Sequence, residues 1–122
     1  MAKYLADDIL NDGLNKLKNT ATIAVICLSQ PADNAGALGT AALGTVACAS
    51  ANFTVANGDS SGRKITYGPG TVVVGTTGTI THVSWVGAGT LLAVGTCAPT
   101  AVTAAGTVVI NAVDIAEFAD IA

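Results

Sequence analysis

Charge and aromatic rings are what this chain of 122 residues has least of: 11% of its residues are charged and 4% aromatic, against 51% hydrophobic. Soluble domains carry about 25% charged residues. Ala, Thr, Gly and Val fill the difference. A surface built from them is weakly solvated on a lone monomer, and it fits a molecule partly covered by its own copies or by a partner. Five Lys and Arg with a net charge of -3 cannot form the basic stripe that a phosphate backbone requires, so no nucleic-acid partner is expected. No run reaches the roughly 18 apolar residues that span a bilayer, so no membrane partner is expected either. The opening residues, Met1 to Asp8, are acidic and lack an apolar centre, which argues against a signal peptide.

Histidine is nearly absent. His82 is the only one, which leaves no histidine-rich metal site. No Gly-x-Ser-x-Gly elbow accompanies it, and a catalytic triad would need groups brought from afar. No Gly-Lys-Ser/Thr loop exists to cradle phosphate. Asn57-Gly58-Asp59 lacks the spaced acidic ligands and closing Glu of a calcium loop. The acidic sets Asp7, Asp8, Asp12 and Asp114, Glu117, Asp120 lie near the two ends of the sequence, where solvation is the default, whereas acid–base work needs a cleft that shifts the carboxyl pKa values. The reading is of a non-enzyme with no catalytic residue, metal or cofactor. Cys27, Cys48 and Cys97 are odd in number and widely spaced, without a Cys-x-x-Cys pair. Each sits in an apolar or small-residue run and reads as a buried free thiol, one disulfide between two of them staying open. The expected compartment of synthesis is a reducing cytoplasm.

What is present divides the chain in two. Residues 1–20 hold Leu5, Ile9, Leu10, Leu14 and Leu17 at spacings of three and four, one face of an amphipathic helix. Asp7 and Asp8 in its early turns and Lys16 and Lys18 in its last suit the helix dipole. Gly13 weakens it by about 1 kcal/mol relative to Ala, so the helix needs packing to persist.

Residues 21–122 read as one β-domain. Thr22 to Leu28 is a buried strand, rich in β-branched residues. Residues 31–45 read as a long loop, an interface element in a compact domain. Val46–Val55 and Arg63–Tyr67 read as a hairpin around the polar turn 57–62. Thr79–Val86 is the clearest strand, turned by Gly87-Ala88-Gly89 into Leu91–Cys97. Thr71–Val74, Thr107–Ile110 and Val113–Phe118 complete the set. Trp85, the single Trp, is the expected core anchor, sharing a face with Val83 and Thr81 and opposite His82, Ile80 and Ser84. Strands about ten residues apart with Gly turns predict a mainly β fold, an antiparallel sandwich or barrel with an N-terminal α-helix. Arg63 and Lys64, the one basic pair, read as a solvated edge, with docking to an acidic neighbour as the functional alternative.

Three stretches, Ala2–Asn15, Phe53–Lys64 and Thr79–Val83, resemble small structural proteins of tailed bacteriophages, and the likeness runs over nearly the whole chain. The resemblance implies a head-associated virion protein, a decoration or cement subunit that binds the major capsid protein and forms a homo-oligomer. It supplies no active-site motif. Leu5, Ile9, Leu10, Leu14 and Leu17, together with Arg63 and Lys64, are the candidate interface residues, with the 31–45 segment as a second docking element. A tail, connector or fibre component is the nearest alternative, and a glycan- or small-molecule-binding β-sandwich is the alternative of another class.

Overall fold

The computed structural model describes the backbone of residues 7–59 and 62–118 and the side chains of 11–59 and 62–115. It is mainly β, with 54% of the described residues in strands and 17% in helix, and its curled antiparallel sheets form a half-barrel, sandwich-like arrangement behind an N-terminal helix. Helix α1 (Asp7–Thr20) leads into β1 (Ile23–Cys27), α2 (Asn34–Leu38), β2 (Ala42–Ala47), β3 (Phe53–Asn57), β4 (Arg63–Tyr67), β5 (Gly70–Val74), β6 (Gly78–Gly87), β7 (Thr90–Val102), β8 (Thr107–Ile110) and β9 (Val113–Phe118). Six strands form one sheet in the order β7-β6-β1-β2-β5-β8, and three form the other in the order β3-β4-β9.

Strand β1 lies between β6 and β2, and its last four residues are buried. Ala24 and Ile26 point toward the second sheet and join Leu43, Val72, Val74, Ile80 and Trp85 in the core. Phe53, Ile65 and Tyr67 close that core from the three-stranded sheet, and Leu14 closes it from α1. On the other face of β1, Val25 and Cys27 pack under Ala37 and Ala41. The alternation of period 2 thus buries both faces of one strand under two different covers.

Segment 31–45 is not a loop. It folds into α2 and the first part of β2. Asp33 starts the helix, its Oδ1 accepting from the Gly36 N–H at 2.7 Å, a side-chain cap of the kind that favours Asp at this position. Strand β2 has weak intrinsic β preference but hydrogen-bonds with β1 on one side and β5 on the other, and tertiary pairing overrides propensity there. Gly44 is required, because a Cβ would stand 2.6 Å from the Val73 carbonyl oxygen. The hairpin expected over 46–67 is correspondingly shorter: residues 42–47 belong to the large sheet, and only β3 and β4 pair across the turn. Ile80, rather than Thr81, joins Val83 and Trp85 in the core, at the point where the β6–β7 ladder shifts register. The turn into β7 holds Ala88 at φ 51° and Gly89 at φ 73°, the pair of left-handed conformations of a type I′ hairpin.

Candidate assembly interface

The charged residues are segregated in space. Strands β1, β2, β5, β6, β7 and β8 contain no Asp, Glu, Lys or Arg, and neither 34–58 nor 65–113 holds one. Apart from Asp33, which caps α2 on the outer side of the large sheet, charge gathers on α1 and the three-stranded sheet. There the Lys64 ammonium lies 2.7 Å from Asp59 and 3.1 Å from Asp114, and the Thr66 hydroxyl donates to Asp114 at 2.9 Å. Hydrogen bonds donated to Asp59 and then to Asp114 raise the Lys64 pKa, and those accepted from Lys64 and Thr66 lower that of Asp114.

The large sheet presents an uncharged outer face. Antiparallel partners share a face. Thr45 stands beside Val73, and Val73 beside Thr107, with Thr71 beside Val109 in the next row. All five are exposed; Val73 is 61% and Val109 54% accessible. Leu38, 40% accessible at the end of α2, borders a shallow hollow of about 370 Å³ that Thr45, Val73 and Gly75 also line. The face runs out to β8, the edge of its sheet, whose residues Thr-Val-Val-Ile carry none of the charges that ordinarily discourage edge pairing.

The residues singled out from the sequence whose side chains are described lie away from this face. Leu14 is 2% accessible and Leu17 packs against the same core, so this part of the leucine stripe faces its own β-domain. Leu5 lies outside the described residues, as do the side chains of Ile9 and Leu10. Arg63 ties α1 to the hairpin, its Nε donating to Asn11 Oδ1 at 2.7 Å and an η nitrogen donating to Asn57 Oδ1 at 2.6 Å. Lys64 is held by its two carboxylates. Both cations therefore work within the chain. The signal for the outer face was present as the two charge-free runs, but strand order was needed to bring 45, 73, 107 and 109 together.

All three cysteines are free, and they differ in exposure: Cys27 is buried, Cys48 intermediate and Cys97 exposed. The expectation of uniform burial fails at Cys97, which lies where β7 departs from its ladder with β6. Cys27 Sγ sits 3.4 Å from Ser84 Oγ. Burial pushes the Cys27 thiol up, and the Ser84 contact opposes this in part. His82 Nδ1 lies 2.8 Å from the Thr81 hydroxyl. Among the described residues no three His, Cys, Asp or Glu side chains are grouped to hold a metal ion, and no helix is long and apolar enough to cross a membrane.

Compared with known proteins, the chain matches no family model, no curated protein and no solved structure.

Proposed function

We propose that this chain is a structural subunit of a bacteriophage particle, a decoration protein that homo-oligomerises and binds the outer shell formed by the major capsid protein. The observation that carries the reading is the exposed, uncharged face of β2, β5 and β8 ending at an uncharged edge. Such a face is poorly solvated alone and gains by contact. A shell repeats the same modest contact many times, and linked contacts multiply their effect without any single one being strong. The charged three-stranded sheet on the opposite side would then face solvent. The resemblance of Ala2–Asn15 and Phe53–Lys64 to phage structural proteins supports the particle assignment. The assembly takes place in the host cytoplasm and the product resides in the virion.

The test is a double variant, Val73→Lys with Val109→Lys. Both side chains are exposed, so folding should be preserved, and sedimentation and particle binding should show loss of self-association and of shell occupancy. Incorporation of the folded double variant at the wild-type level would overturn the proposed face. Copy number in purified particles addresses the placement: occupancy on the scale of the shell lattice supports a head decoration role, and a single ring's worth of copies supports a connector.

A further inference from the structure

The turn between β3 and β4 carries a dipeptide found nowhere else in the chain. Asn57 is followed by Gly58, whereas the other six asparagines all precede a residue with a side chain. An asparagine loses its amide when the next main-chain nitrogen closes a five-membered ring on its Cγ, and asparagine counts among the thermolabile residues. A following side chain crowds that nitrogen, and glycine has no Cβ to do so.

The surroundings of Asn57 distinguish it further. It is the last residue of β3 and is exposed, so water reaches it. Its Oδ1 accepts from an η nitrogen of Arg63 at 2.6 Å, the residue opposite it in the ladder. Ring closure turns Oδ1 into an oxyanion, and a cationic donor already in place stabilises charge as it develops there. Asn11 of α1 holds the same guanidinium through Nε at 2.7 Å, which fixes its position. Asn52, by contrast, accepts only from the neutral Ala49 N–H. One contact acts as a brake on Asn57. The Gly58 N–H donates to the Gly62 carbonyl at 2.9 Å, and the nitrogen is free to attack only when that bond across the turn opens.

We propose that Asn57-Gly58 is a self-modifying site whose reaction Arg63 promotes. The Gly58 nitrogen gives its proton to water and bonds to Asn57 Cγ, while negative charge collects on Oδ1 against the guanidinium. The Cγ–Nδ2 bond then breaks, and the amide leaves with a proton as ammonia. The imide that remains takes up one water. Opening at Cγ leaves an aspartate at position 57, and opening at the main-chain carbonyl leaves an isoaspartate, with one more carbon in the backbone. The sum is amide plus water to carboxylate plus ammonia, with no oxidant and no cofactor. The aspartate keeps Arg63 as its donor, now as an ion pair between β3 and β4, so the hairpin tolerates the change. The reaction needs neither a second copy nor a particle.

The full chain is kept folded at neutral pH and sampled over days by mass spectrometry and isoelectric focusing. The wild type should gain about 1 Da and a more acidic band, and peptide mapping should place aspartate and isoaspartate at position 57 ahead of every other asparagine. Asn57→Gln should abolish the gain. Arg63→Gln, with unchanged circular dichroism, should slow it about tenfold, the size expected when one charge-assisted hydrogen bond is lost from the transition state. Should Arg63→Gln lose its fold, Asn11→Ala takes its place: it removes only the contact that fixes the guanidinium and should slow the gain in the same direction. A folded wild-type chain that keeps its mass while the urea-unfolded chain deamidates overturns the proposal. Equal or faster reaction in the folded variant overturns it too, as does a gain that maps first to another asparagine.

Discussion

The ring of Tyr67 stands edge-on to that of Trp85, centroids 5.5 Å apart at 65°, and joins the two sheets through their largest buried side chains. Tyr67 also packs on Phe53 at 5.2 Å, so a core poor in aromatics concentrates them in one chain of contacts. Tyr67→Ala should lower stability by about 3–5 kcal/mol in chemical denaturation, the range for truncating a buried aromatic. Tyr67→Phe keeps the ring and should lose far less.

Leu14 anchors α1 in the same core, the packing that a helix weakened by Gly13 requires. Leu14→Ala should cost about 2–5 kcal/mol. Removal of residues 1–18 should uncover Phe53 and Ile65 and leave a β-domain that melts at a markedly lower temperature than the full chain. An unchanged melting temperature in that truncation would contradict the packing described.

Ala88 holds a left-handed backbone conformation, φ 51°, that a Cβ disfavours by about 1–2 kcal/mol. Ala88→Asn creates the Asn-Gly pair preferred in type I′ turns, and it should stabilise the β6–β7 hairpin by up to about 1 kcal/mol. Thermal denaturation of the variant against wild type reads the gain directly.

The Lys64–Asp114 pair sets a pH window. The Asp114 pKa is held below its ordinary 3.8 in the folded chain, so its contribution is present above that value and is lost as pH falls through the depressed one. The Lys64 pKa lies above its ordinary 10.5, so its contribution is present below 10.5 and disappears as pH rises through the raised value. Asp114 is exposed and Lys64 half-buried at the surface, and the effect is small. The stability difference between wild type and Asp114→Asn should therefore be greatest at neutral pH and shrink below pH 3.8, as followed by urea midpoints across an acid series.

Much of this architecture was readable from residue pattern. The β-branched run at 23–27, the Gly-bounded strand at 78–87 and the polar turn before Arg63 signal their elements through short-range chemistry. The stretch 34–47 did not, because Ala, Gly and Leu carry little local preference, and its helix cap and strand depend on Asp33 and on hydrogen bonds with β1 and β5. The outer face was hidden for a related reason. Thr45, Val73 and Val109 are ordinary residues far apart in the chain, and only the strand order makes neighbours of them. Arg63 and Lys64 looked available because their partners Asn11, Asp59 and Asp114 arrive from separate elements.

The separation of charge between the two sheets gives the molecule one side rich in ionic groups and one sheet face without them. If subunits join through the uncharged face as proposed, they would cover a surface once and turn their ionic side outward, leaving a second coat nothing to stick to. Growth of such a film stops at one layer by construction, and added salt, which screens ionic contacts, should leave its cohesion intact or tighten it.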